Sequence, residues 1–396
     1  MEDRKIRVAI THGDTNGIGY ELIFKTFAEP EMLELCTPII YGSPKIAAYH
    51  RKAMDTQANF SIINKAEDAQ DGRVNLLACF DDDVKVELGI PTKESGEAAL
   101  KALDRAMTDF RSQLFDVLVA CPVNPDNMSD ANFTYRGLKQ YSETSIGDGA
   151  KAIKMLINES MRIALATDGL AIKDVPSHIT EDLLLAKLRT INEAMKRDFR
   201  LSNPRIGVLA LNSTANGDEE KNIIGPAVCK AADEGINVYG PYAADEYFGE
   251  NIYDAFDVTL AMYDDQAVIP FTTLMQNDGI YYVASLPLVC TAPAQTPDFD
   301  AAGQGISDES ALRHAIFEAI DIVRNRAEYD EPLANPLQKL YHEKRDESEK
   351  VRFAIPKKRE GFRPDRKQAP RNDNARPMAE SKPTTESSQA APATNE

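Results

Sequence analysis

Apolar residues in this chain gather into short runs, and between the runs they recur at helical spacing. Ile6–Ile10, Pro38–Tyr41, Arg73–Cys79, Val117–Ala120, Arg162–Thr167, Arg205–Asn212, Asn237–Tyr239, Phe256–Met262 and Tyr281–Leu286 read as strands. Helices are expected from near Tyr20, after Gly42-Ser43-Pro44, and over Ser95–Phe110, Ile179–Phe199, Lys230–Glu234 and Asp308–Arg326. Strands that alternate with helices in this way predict an α/β fold around a mostly parallel sheet. The pattern converges on Leu260–Phe271, LAMYDDQAVIPF. There an apolar strand, Val258–Met262, meets Asp264 and Asp265 and then an apolar segment closed by Pro270. Ligands of open α/β sheets gather just past the carboxyl ends of strands, so a site is expected at this strand end. A second punctuation mark is the Gly-rich turn His12–Gly19, between the first strand and the first helix. Such a turn can aim backbone N–H groups and a positive helix end at an anion, although most turns of this kind only reverse the chain.

Composition narrows the class. A chain of 396 residues with 43 % hydrophobic content can bury a large core and is expected to form two lobes of one α/β unit. The pattern changes after Glu328. Residues 344–376 hold twelve Lys/Arg against six Asp/Glu, and 377–396 are rich in Ser, Thr, Pro and Ala. Segments like these bury too little apolar area to offset ordering entropy. The expected division is therefore a folded unit over 1–328 and a disordered tail over 329–396. The net charge is −18, and −22 falls on residues 1–343, because the basic segment carries +6 and the last piece −2. An acidic body argues against nucleic acid as a partner. The basic tail alone could reach for RNA, an anionic surface or the body itself, and a solvated tail with no target is the plainer reading. Five cysteines without CxxC pairing suit a reducing cytosol. The opening MEDRKIRVAITHGD has no hydrophobic signal core, and no run approaches a membrane span of about 18 apolar residues. A soluble cytoplasmic protein, with no membrane contact, is expected.

Two segments carry a resemblance. ITHGDTNGIGYE (Ile10–Glu21) and LAMYDDQAVIPF are similar to the opening and metal-ligand segments of the 4-hydroxythreonine-4-phosphate dehydrogenases. The likeness runs from Ile6 to about Val323. It implies the two-domain fold shared with isocitrate and isopropylmalate dehydrogenases, with a cleft between domains and across a homodimer interface. It also implies NAD-dependent oxidation and decarboxylation of 4-phosphohydroxy-L-threonine, on the route to pyridoxal phosphate. A divalent metal would polarise the oxygen and stabilise the charge left on decarboxylation.

Carried over residue by residue, the resemblance keeps scaffold words and loses chemistry words. The family's three metal-binding histidines fall on Gly169, Thr214 and Asp264. A lysine near the substrate falls on Pro125, and the GHTE substrate loop on Gly137-Leu138-Lys139-Gln140. A lysine after the organising strand becomes Thr272, an asparagine becomes Tyr281, and the arginine that faces the substrate phosphate becomes Cys290. Losing two charge-assisted bonds, at ~1.5–3 kcal/mol each, would weaken the usual substrate about a thousandfold. Asp168 and Asp264, with Asp265, could offer oxygen ligands to Mg²⁺ or Mn²⁺, or be solvated turns and caps. His12 and His178 are weaker substitutes as ligands. Arg136 and Lys139, three apart beside Gly137, could present two cations to one anion, or be surface charges. For the cofactor, Asn212, Gly240, Asp245, Asp265 and Gln266 match the family's dinucleotide cleft, with Asp245 alternatively an N-cap. Two functional readings follow. One is the family reaction. The alternative is a non-catalytic or substrate-altered paralogue that keeps the fold, the dimer and dinucleotide binding.

Overall fold

The computed structural model describes residues 4–80, 84–129, 134–147, 149–274 and 278–336. The apolar runs become β1 (Ile6–Thr11), β2 (Cys36–Gly42), β3 (Ser61–Ile63), β4 (Asn75–Ala78), β5 (Val117–Ala120) and β6 (Ile153–Ile157). After them come β7 (Arg162–Leu165), β8 (Ile206–Leu209), β9 (Val238–Tyr242), β10 (Val258–Ala261), β11 (Ile280–Ala284) and β12 (Val289–Pro293). They form one sheet in the order β3-β4-β2-β1-β5-β12-β11-β6-β7-β10-β8-β9. Pairing is parallel from β3 to β12 and again from β7 to β9. Between them, β11 runs antiparallel to both β12 and β6, and β6 antiparallel to β7. Two parallel half-sheets of opposite sense thus meet at β11 and β6. This is the mostly parallel α/β architecture expected, realised on one continuous sheet. β3, β6 and β12 lie outside the runs singled out in the sequence.

Burial explains the uniform strands. Every residue of β2, β5, β8 and β10 is buried, as parallel strands covered by helices on both faces require. The helix Lys93–Arg111 starts at a capping box. The Thr92 hydroxyl accepts from the Ser95 N–H at 3.2 Å and the Ser95 hydroxyl from the Thr92 N–H at 3.3 Å. It then lays Ala99, Ala102, Leu103 and Ala106 on the core. The helix Glu181–Arg197 is capped by Thr180, which accepts from Leu183 N–H at 3.2 Å.

Two boundaries differ from expectation. The segment after β10 is not closed by Pro270: a helix runs from Asp264 to Leu274 with Pro270 inside it. The lost backbone hydrogen bond is offset by burying Ala267 and Phe271 on either side of the proline. The last helix spans Ser310–Ala334 and so passes the expected limit at Glu328. Ion pairs fasten its end: Arg200–Glu328 at 2.9 Å and Arg197–Asp330 at 2.5 Å. Deeper in, Arg326 meets Asp198 at 2.6 Å with both side chains buried, and Tyr282 of β11 donates to the same carboxylate at 2.6 Å. The folded unit continues to Pro336. The tail expected to be disordered lies, from residue 337 on, outside the described residues.

Candidate functional site

A cavity of about 380 Å³ lies where the two half-sheets meet. Thr11 and Ala120 line it from the ends of β1 and β5, Lys154 from β6, and Tyr281 and Val283 from β11. Asp168 and Gly169 enter after β7, and Asp264 after β10, so the organising strand does end at a pocket. Arg136 and Lys139 line it too. A larger cavity, about 590 Å³, sits between the helix Gly19–Thr26 and β3, and Arg73 is the only charged residue in its lining among those described. No residue of either motif segment lines it, whereas Thr11 and Asp264 line the smaller, charged cavity, which is the better site.

The polar side chains of the site hold one another. Lys139 Nζ lies 2.7 Å from Asp168 Oδ1, and Gln140 Nε2 donates to Asp168 Oδ2 at 2.8 Å. The two paired side chains are 12 % and 11 % exposed, so this ion pair is largely out of water. Asp264 accepts from the Gly169 N–H at 2.6 Å, and its other oxygen is 3.7 Å from Lys154 Nζ. Lys154 also sits 4.9 Å above the Tyr281 ring, a cation–π arrangement. Burial first, and the Asp264 carboxylate second, raise the Tyr281 phenol. Behind this layer Lys187 is pushed down to about 8, first by burial and then by the Lys139 ammonium, with Asp168 opposing the shift.

The Gly-rich turn packs behind Cys121 and Pro122 of the pocket wall and offers the pocket no amides. A Cβ on Gly13 would lie 2.3 Å from Pro122 O, and Gly13 takes φ +75°. The turn's N–H groups are spent internally: Asp14 on Pro122 O, Gly17 on Asp14 O, Ile18 on Pro297 O, and Asn16 on the Asp14 carboxylate. Asp14 also accepts from Ser95 Oγ and Asn127 Nδ2. Thr11, just before the turn, reaches the cavity lining. His12 is buried and stacked on Tyr20 at 5.4 Å, outside that lining. His178 is exposed and bonded to Asp174 O at 2.8 Å. Neither is placed as a ligand.

The residues expected to hold a dinucleotide cluster at the ends of β8, β9 and β10 and are mostly engaged with scaffold. Gln266 ties β10 to β8, accepting from Met262 N–H at 2.8 Å and donating to Ala210 O at 2.6 Å. Asn212 donates to Glu219 at 3.0 Å and to Glu220 at 2.9 Å. Gly240 sits where a Cβ would lie 2.4 Å from Val208 O. Asp245 is in the first turn of the helix Ala244–Gly249, whose N-cap is Ala243, so Asp245 is not the cap. Asp245 and Asp265 are exposed, and their carboxylates can accept from hydroxyl groups.

The profile of the family described as pyridoxal phosphate biosynthetic protein PdxA matches residues 34–319. A 4-hydroxythreonine-4-phosphate dehydrogenase of Bacteroides thetaiotaomicron is 47 % identical over 358 residues, spanning 89 % of this chain and 98 % of that protein. The chain belongs to the PdxA family. A second PdxA-family relative, from Sulfurihydrogenibium sp., is 33 % identical and covers 81 % of this chain and 99 % of its own length. Among solved structures, 4-hydroxythreonine-4-phosphate dehydrogenase from Klebsiella pneumoniae superposes with a TM-score of 0.68 at 22 % identity, over 82 % of this chain and 99 % of that one. The enzyme from Burkholderia phymatum gives 0.65 at 24 % over 81 % and 99 %. The shared fold is thus that of PdxA structures.

Within the PdxA frame the metal positions can be tested. Gly169 and Asp264 are brought together, but Thr214 is exposed on the loop after β8 and does not line the cavity. Gly169 takes φ +67°, where a histidine would be strained. Each Asp168 oxygen already has a donor, one of them an ammonium, and a second ammonium faces Asp264. No group of three metal-ligating side chains exists among the described residues. As placed, Asp168 and Asp264 serve lysines, and a donor set so engaged does not fit a divalent cation. Lys139 itself is no loose surface charge, because Asp168 holds it. Lys154 is not among the residues that sequence reasoning singles out, and its one signal there is a lysine inside the apolar run IKMLI.

Proposed function

We propose that this chain is a 4-hydroxythreonine-4-phosphate dehydrogenase, oxidising the hydroxyl of 4-phosphohydroxy-L-threonine with NAD and releasing carbon dioxide, on the route to pyridoxal phosphate. The observation that carries the reading is the 47 % identity to the Bacteroides thetaiotaomicron enzyme across 98 % of that protein. The lysine-lined cavity at the expected strand end supports it. In this reading Arg136, Lys139 and Lys154 orient the anionic substrate, while Leu103, Val123 and Val283 keep water away from the reacting carbon. Bound NAD supplies the hydride acceptor. Asp245 and Asp265 offer carboxylates for its ribose hydroxyls, and Asn212, Gly240 and Gln266 shape the strand ends beneath it. No step is assigned to a metal. The protein acts as a homodimer, and the exposed Ile269 and Leu274 of the helix after Asp264 give such a dimer apolar surface. Light scattering is expected to read the mass of two chains, and a monomer at micromolar concentration would remove the dimer. No described helix is long and apolar enough to cross a membrane.

The test is NADH formation by the purified full chain with NAD⁺ and 4-phosphohydroxy-L-threonine, with Zn²⁺, Mg²⁺ or Mn²⁺ and with chelator. Turnover is expected. A folded protein without turnover under every condition would transfer support to the second reading, a non-catalytic or substrate-altered paralogue. That reading would rest on the ion-paired Asp264, at one family metal position, and Asp168, beside another.

A further inference from the structure

At the pocket the chain has exchanged one kind of positive charge for another. Lys139 stands where the family's GHTE loop has threonine, and Lys154 reaches in from β6. We propose that Lys139 and Lys154 take the place of the divalent cation: held by Asp168 and Asp264, their ammonium groups bind a small phosphate-bearing anion in this cavity without any metal. This deepens the reading of the cavity as the substrate site and rests on it.

Three observations carry the proposal. An ammonium has three donors, and Asp168 occupies one from Lys139 at 2.7 Å, so others remain for a ligand. Lys154 stands 3.7 Å from Asp264, beyond ordinary hydrogen-bond length, and 4.9 Å above the Tyr281 ring, so its donors are freer still. The charged lining consists of Arg136, Lys139 and Lys154 against Asp168 and Asp264, and Arg136 has no ion pair among the described residues. That excess of one positive charge, set against apolar walls that strengthen electrostatic interactions, attracts an anion and repels a dication.

The experiment titrates inorganic phosphate into the full chain by calorimetry, with EDTA present throughout. Saturable binding is expected, unchanged by EDTA, and weakened about tenfold or more in Lys154→Met and in Lys139→Met. The double variant Lys139→Met/Asp168→Asn removes both charges of the buried pair, and covers the case in which the single variant does not fold. Arg73→Met, in the other cavity, is expected to bind phosphate as the parent does. Phosphate binding that needs added Zn²⁺, Mg²⁺ or Mn²⁺ overturns the proposal, and so does binding indifferent to the lysines. Equilibrium dialysis supplies an independent check: one equivalent of metal retained by the parent and lost in Asp264→Asn also overturns it. The two readings fail separately. Turnover that appears only with metal removes the ammonium site and keeps the dehydrogenase, whereas lysine-dependent phosphate binding without turnover keeps the site and removes the reaction.

Discussion

His12 shows how far one residue's role depends on what surrounds it. In the sequence it sits in a Gly-rich turn and invites a ligand role, but the fold buries it against Tyr20 and Phe80. Burial pushes its pKa down to about 4, with the neighbouring His50 acting in the same direction. His50 is itself lowered, first by burial, against the Thr15 carbonyl that bonds its ring at 2.7 Å. The unfolded chain protonates these rings near pH ~6.5, whereas the folded chain resists. Stability from this source is therefore complete above about pH 6.5 and is lost as the pH falls from there towards 4. Urea midpoints across that range should fall more gently for His12→Phe than for the parent. Equal slopes would clear His12 of the effect.

Among the elements, the C-terminal helix Ser310–Ala334 shows which ion pairs matter. Arg326 and Asp198 are 6 % and 2 % exposed and share Tyr282, so the helix is pinned to β11 and to the end of the helix Glu181–Arg197. Asp198→Ala would leave a guanidinium buried without its counter-charge. A loss of ~3–5 kcal/mol is expected in chemical denaturation. Glu328→Ala, which breaks a pair that is 43 % and 67 % exposed, should cost less than ~1 kcal/mol. Equal losses in the two variants would mean that packing, not charge pairing, holds the helix. The capping box at Thr92 and Ser95 also belongs to this scale. It leaves little trace in the sequence, because its second member is serine in place of the usual glutamate or glutamine.

For the whole molecule, the acidic body and the cationic pocket are two facts about one charge distribution. The total charge of −18 sets a repulsive background for anionic metabolites. A lysine-lined cavity is then the local exception that admits one. The turnover and phosphate-titration experiments act at this scale, because each reads the pocket assembled from both half-sheets. Neither half carries the site alone: Thr11 and Ala120 line it from the ends of β1 and β5, whereas Asp168 and Asp264 enter it after β7 and β10.

The sequence by itself determined the alternation of strands and helices, the family, and the strand end at which Asp264 lines a pocket, because buried parallel strands write continuous apolar runs and family motifs are local. It also showed which ligand positions were empty of histidine. Tertiary structure decided what replaced them. The partners of Asp168 lie 29 and 28 residues away, and Asp264 sits 95 residues from Gly169, so no local spacing could announce them. The antiparallel seam at β6 and β11 was hidden for a like reason: both strands are nearly as buried and apolar as their parallel neighbours, and their direction is set by which edges pair across the sheet.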